Sequence, residues 1–255
     1  MPPPRKLCGK RVLTGFTPAE VFVPNPTCQQ TNAFTLAEVL ITLGIIGVVA
    51  ALTIPTLIAN HKKSVVEKRL AKFYSVINQA IIMSEVDNGE KEGWESFGNS
   101  SDKKEWFNKY MAKYLNTVAV DFNDSINTQR NKPIQVYFSD GSMAVMGTSW
   151  IFFPEAKKYK NKTFGDDDAT IYLDTSVSGK EWFTFLFSPA NTSPYHKGKG
   201  MEPYLLNWDG NQNSLYNHTS LGCRKNVSGT TERAYCTAVI QQNGWHIPDD
   251  YPIKF

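Results

Sequence analysis

Residues 34–55 read FTLAEVLITLGIIGVVAALTIP. The run extends to Ala59, and across residues 34–59 the only charged side chain is Glu38. At ~1.5 Å per residue, about 20 such residues cross the hydrocarbon core of a bilayer as a helix. A secretory h-region is shorter, roughly 7–15 residues, so the stretch predicts a membrane-spanning helix. Gly44 and Gly47 are tolerated in lipid and allow close helix approach. Pro55 lacks an N–H and is expected to kink the helix or loosen its hydrogen bonds. Glu38 poses the question: a carboxylate at that depth is costly, and intramembrane ionisable groups are functional candidates by default.

The helical pattern continues past the apolar run. In residues 60–86, NHKKSVVEKRLAKFYSVINQAIIMSEV, the residues Val66, Leu70, Phe73, Ile77, Ala80 and Ile81 recur at spacings of three and four. Charges occupy the other face, so this half is amphipathic and should lie on a core. Asn88-Gly89 supplies a stop. The whole helix is predicted over residues 35–87, on the order of 80 Å long at the standard rise.

Asp102 with Glu105 three residues on suggests a capped second helix over residues 102–116, with Trp106, Phe107, Tyr110, Met111 and Tyr114 on one side. From Pro133 the texture changes to strands. Residues 134–138 and 143–146 flank Ser139-Asp140-Gly141, a hairpin signal. Residues 150–153, 170–173 and 182–187 are further strand candidates. The last sixty or so residues are rich in Gly, Asn, Pro and Ser, which predicts loops.

The net charge of +3 is unevenly spread. Residues 1–33 hold Arg5, Lys6, Lys10 and Arg11 against Glu20, and the remaining chain is neutral. A neutral body argues against nucleic acid as the main partner, since phosphate binding needs a net basic face. A basic arm before an apolar run has the form of a targeting segment. Cys8 and Cys28 lie in this arm, and Cys223 and Cys236 lie near the C-terminus. No CxxC or zinc spacing is present. Outside the arm one pair remains. In an oxidising compartment it would bridge and contribute roughly 3 kcal/mol; in a reducing cytosol it would stay as two thiols. The membrane segment favours export and hence the bridge.

AFTLAEVLITLGIIGVVAALTIP, residues 33–55, resembles the N-terminal cleavage and methylation segment of type IV pilins and type II secretion pseudopilins. The likeness covers residues 33–63: a small residue, Phe34, Thr35, Leu36, one intervening residue, Glu38, then an apolar helix with Pro55. Beyond residue 90 it is one of layout, although IYLDTSVSGKEWFTFLFS has the flavour of the pseudopilin sheet. The resemblance implies a leader of residues 1–33, cut between Ala33 and Phe34 by a prepilin peptidase, and N-methylation of Phe34. It implies that Glu38 meets the N-terminal amine of a neighbouring subunit during filament assembly. Breaking such a pair strands a buried charge at a cost of several kcal/mol, so Glu38 would act as a register pin. Two departures stand out. Ala33 occupies the position where the family usually has Gly. Residues 15–21, GFTPAEV, nearly copy residues 33–39, AFTLAEV. Pro18, Pro24 and Pro26 forbid a continuous helix after that copy, so it is read as a decoy. The positive-inside rule does not fix topology, because Lys62, Lys63, Lys68, Arg69 and Lys72 follow the span.

Other signals carry less. The acidic run at residues 165–168 lacks the spacing and terminal Glu of an EF-hand loop and is read as a solvated turn. The histidines at 61, 196, 218 and 246 match no triad or HExxH. Residues 244–252, GWHIPDDYP, are read as a cap on the sheet, with a partner surface as the alternative. The six tryptophans are read as packing. No metal site, cofactor or catalytic group is expected.

The expected fold is α+β and pilin-like. A long N-terminal helix, with a membrane half over residues 34–59 and an amphipathic half, packs on an antiparallel sheet, and a disulfide-tied C-terminal loop region completes a globular domain over residues 60–255. The expected role is a structural subunit of a type II secretion or type IV pilus filament and not an enzyme, with a slight lean to the pseudopilin. Its partners are the prepilin peptidase, other pilin or pseudopilin subunits and the inner membrane, with no nucleic acid. The protein would cross the bacterial inner membrane once, with its C-terminal domain periplasmic or extracellular. The alternatives are a single-span anchored periplasmic binding or enzymatic domain, and a soluble protein released by cutting near Ala59.

Overall fold

Helix α1, Leu36–Asn88, runs through 53 residues without interruption. The structure is a computed structural model that describes residues 34–95, 97, 103–122, 134–147, 149–159, 173–225 and 233–255. The chain divides into two units, Met1–Ile54 and Pro55–Phe255, and α1 contributes to both.

In the first unit the described residues are the start of α1 and the two residues before it. No apolar side chain there is buried: Phe34 is 87 % exposed, and Leu36, Leu40, Ile41, Leu43, Ile45, Ile46 and Val48 are all exposed.

In the second unit the periodicity of α1 becomes a buried stripe. Val66, Leu70, Phe73, Ile77, Ala80 and Ile81 are all buried, joined by Ser84. Lys68 and Lys72 stay exposed on the other side, as an amphipathic helix requires. The helix ends at the expected Asn88-Gly89, where Gly89 takes φ +77 and donates its N–H to Glu85 at 2.9 Å. A left-handed residue closes a helix at low cost only when it is glycine.

The stripe packs on a six-stranded sheet, β1 (Ala119–Asp121), β2 (Ile134–Tyr137), β3 (Met143–Met146), β4 (Trp150–Phe153), β5 (Phe183–Phe187) and β6 (Met201–Pro203). Spatial order follows chain order and every pair is antiparallel. The predicted hairpin is present, with Met143 opposite Tyr137 and the Asp140 carboxylate accepting from the Ser142 N–H at 3.0 Å. Side chains alternate between faces along a strand. Ala144, Met146, Trp150, Phe152, Phe183 and Phe185 therefore join the α1 core, where Phe73 stacks on Phe152 with centroids 4.3 Å apart. Met143, Val145, Ile151 and Phe153 form a second core on the opposite face with Trp182, covered by Tyr159, Leu173 and Val177. β3 and β4 are thus buried on both faces.

Polar clasps along α1 hold it to this body. The Arg69 guanidinium donates to the backbone carbonyls of Asp140 and Pro154. The Asn78 side chain accepts from the Met201 N–H at 2.8 Å and donates to the Met201 carbonyl at 3.0 Å, closing the outer margin of β6. Near the start of the buried stripe, Glu67 accepts from the Ile247 N–H at 2.8 Å and Lys63 pairs with Asp249 at 3.6 Å.

Several expectations are revised. The second helix, α2 (Lys103–Phe107), passes into a π-helical turn, Asn108–Ala112, and ends there, short of residue 116. Trp106, Phe107, Tyr110 and Met111 are buried as expected, with Trp94 stacked on Tyr110 at 4.5 Å. Asp102, the proposed cap, lies outside the described residues, as do residues 170–172 of one strand candidate. The C-terminal region contains two helices as well as loops: α3 (Gln212–Asn217) and α4 (Cys236–Gln242). Residues 236–240 of α4 are buried, and the Thr237 hydroxyl accepts from the Thr184 N–H at 3.1 Å just past the end of β6, where Tyr204 donates to the Thr184 carbonyl at 3.2 Å.

Candidate assembly segment

The first turn of α1 answers part of the question Glu38 raises. The Glu38 carboxylate accepts from the Thr35 N–H at 2.8 Å and from the Thr35 hydroxyl at 2.9 Å. The same hydroxyl accepts from the Glu38 N–H at 3.2 Å. This is a capping box, in which a Thr before the helix and a Glu three residues on satisfy each other's backbone donors. The helix dipole also favours an anion at this end. The signal, Thr35-x-x-Glu38, stands in the sequence but is overshadowed by the apolar run behind it. Phe34 is exposed, and Ala33, the other half of the expected cleavage dipeptide, lies outside the described residues, as does the near-copy at 15–21.

Past the cap, α1 is long and apolar enough to cross a membrane. Two of its hydroxyls are satisfied internally, Thr42 donating to the Val39 carbonyl and Thr53 to the Val49 carbonyl, each at 3.0 Å. In lipid, where no water replaces a missing bond, this keeps threonine affordable within the span. Pro55 lies inside the helix and cannot donate to the Ala51 carbonyl. The division between the two units falls at the same place.

In the second unit Cys223 and Cys236 form the expected disulfide, with Cα atoms 4.6 Å apart. The histidines remain scattered. His196 is fully buried, and its Nε2 accepts from the Leu205 N–H at 3.2 Å. Burial, with Lys199 nearby, pushes its pKa down to about 4, so it is neutral. His246 approaches Glu67 at 3.7 Å. Among the described residues no group of three or more His, Cys, Asp or Glu could hold a metal ion; residues 165–168 are not among them. The six tryptophans pack: four are buried, Trp208 and Trp245 half-buried.

Sequence reasoning missed Arg233. It is buried at a positive φ of 43°, and its guanidinium donates to the carbonyls of Ser176 at 3.0 Å, Ser178 at 3.2 Å and Lys225 at 2.9 Å. Burial lowers its pKa. The carbonyls at the end of a short 3-10 turn, Thr175–Val177, supply the negative ends of dipoles that a cation needs there. Nothing in the local sequence marks this residue, because the carbonyls of Ser176 and Ser178 that it meets lie 57 and 55 residues away in the chain.

No curated protein and no solved structure matches the chain. Residues 56–255, beginning just past the division at Pro55 and taking in the whole sheet, both cores and the disulfide, match the family of unknown function DUF6613, and the chain belongs to that family.

Proposed function

We propose that the protein is a pilin-like filament subunit, a pilin or type II secretion pseudopilin. It is cut between Ala33 and Phe34 by a prepilin peptidase, N-methylated at Phe34, and assembled through its N-terminal helix. The observation that carries this reading is α1 itself. One helix has an apolar and exposed first part, opened by a single carboxylate, and a second part with a buried stripe on an antiparallel sheet. Exposed apolar surface of that extent needs lipid or neighbouring helices to cover it. A bilayer covers it before assembly and a bundle of identical helices covers it afterwards.

The capping box refines the role of Glu38. In the free subunit Thr35 satisfies part of the carboxylate through neutral donors, neither of which carries a positive charge. In the filament reading the Phe34 amine of an adjacent subunit supplies the positive partner. A plain membrane anchor for a periplasmic domain is the second reading, and the same box favours it, since helix capping accounts for Glu38 without any neighbour.

Intact-mass measurement and N-terminal sequencing of the purified protein separate the two. A filament subunit begins at N-methyl-Phe34, whereas a plain anchor retains residues 1–33. A Glu38→Gln variant keeps much of the cap while removing the charge. It is expected to remain in the membrane and to enter filaments at least roughly tenfold less well, the scale of one lost charge partner. Assembly at the unsubstituted level would show that Glu38 serves the cap alone.

A further inference from the structure

Between α3 and α4 the surface opens into a groove of about 600 Å³, lined by Gln212, Leu215, Tyr216, Val239, Gln242, Asn243, Pro248 and Asp250. Leu215 is buried and Val239 is 4 % exposed, so they form an apolar floor. Among the described residues, the side chains of Gln212, Tyr216, Gln242 and Asp250 make no hydrogen bond or ion pair. Asn243, also in the lining, is committed to the His246 carbonyl at 2.9 Å. Two free amides, a phenol and one carboxylate thus converge on one concave surface. The groove is also held in shape. Cys223 donates its N–H to the Leu215 carbonyl at 2.7 Å, and its disulfide to Cys236 ties α3 to the first residue of α4.

The chemistry of this rim selects a ligand class. An amide presents both donor and acceptor, as a hydroxyl does, so paired amides match vicinal hydroxyls. Leu215, Val239, Pro248 and the Tyr216 ring offer apolar surface for a C–H face. Asp250 is the single charged side chain in the lining and no Lys or Arg is present, which disfavours phosphate and other polyanions. We propose that the α3–α4 groove binds a neutral, hydroxyl-rich ligand, a glycan, through Gln212, Tyr216, Gln242 and Asp250. The segment GWHIPDDYP then divides its labour. Trp245 packs at 5.0 Å from Tyr74, and Ile247 and Tyr251 are buried, whereas Pro248 and Asp250 face the groove. The proposal rests on α3, α4 and residues 248–250 and stands or falls independently of the N-terminal processing.

The test uses the full chain in detergent micelles. Tetra-N-acetylchitotetraose, cellotetraose and maltotetraose are titrated separately, with side-chain amide NMR shifts of Gln212 and Gln242 as the readout. At least one oligosaccharide is expected to bind with a Kd below roughly 1 mM and to shift both amides. Tyr216→Ala and the double variant Gln212→Ala/Gln242→Ala are expected to weaken it by roughly tenfold or more. Their melting temperatures check that the fold survives, and Lys180→Ala, in a separate groove, is expected to leave binding unchanged. Absence of binding by all three sugars overturns the proposal. So does equal binding by both groove variants, or tighter binding of a sulfated tetrasaccharide than of the neutral ones.

Discussion

Asn78 shows how one amide can decide how a helix meets a sheet. Its side chain satisfies both the N–H and the carbonyl of Met201, a residue with no exposed surface. The contact requires the two chains to come very close, and a Cβ at Gly200 would collide with the Asn78 amide oxygen. Gly200→Ala is therefore expected to push the amide away and cost about 1–3 kcal/mol, the penalty of leaving buried backbone groups unpaired. Asn78→Ala should cost a similar amount. In the Asn78→Ala background the alanine at 200 should cost much less, because the clash has gone. Urea unfolding of the two single variants and the double variant measures that coupling. Neither residue is conspicuous in the sequence. The apolar partners of α1 could be listed from spacing alone, since Val66 to Ile81 obey the helical period. An asparagine at position 78 reads only as a polar residue on the half-exposed flank, because its partner lies more than a hundred residues away. Glu38 is the converse case: the Thr35–Glu38 pattern was legible, and the apolar run drew attention to its charge instead of its cap.

At the level of elements, legibility followed length. The amphipathic stripe of α1 and its stop at Gly89, the β2–β3 hairpin, β4 and β5 were readable from pattern and turn chemistry. β1 and β6 have three residues each, too few for alternation to register, and β6 ends on a proline. α4 reads CTAVIQQ. Its β-branched residues are poor helix formers, and its burial against β5 and the disulfide overrides that preference. The tie between α3 and α4 can be tested directly. Cys223→Ser with Cys236→Ser, in a chain still anchored by the sheet, is expected to lose roughly 3 kcal/mol of unfolding free energy through the reopened loop. Amide hydrogen exchange should show the loss concentrated at residues 212–223 and 236–242. An even loss over the whole sheet would mean that the bridge supports the entire body rather than these two helices.

For the whole molecule, the sheet, sandwiched between α1 and the Tyr159–Leu173–Val177 cover, makes global unfolding sensitive to groups trapped inside. His196 is one such group, with a pKa pushed down from 6.5 to about 4 by burial. As pH falls through that window the unfolded chain takes up a proton that the native protein refuses, so stability declines; above 6.5 the full stability is present. The contribution lost on reaching pH 4 is about 3 kcal/mol. Urea midpoints measured across this window should fall with acid, and a His196→Gln variant, whose side-chain oxygen can accept from Leu205, should show a flatter slope. An identical slope in the variant would assign the acid sensitivity to other groups. The α+β class, the single candidate span and the bridge were all readable at this scale. The groove between α3 and α4 was not, because it is built from two one- to two-turn helices that the composition of the C-terminal region conceals.

The closure of β6 carries one more consequence. An open strand invites further strands, which is how folded proteins are recruited into cross-β fibres. Here Asn78 already occupies the outward groups of Met201, and Thr237 holds the next free N–H of β5. Ordered aggregation by strand addition is thereby opposed along that border, and among the described strands β1 is the other edge. In the proposed filament, helices could pack side by side without strand addition along the β6 border.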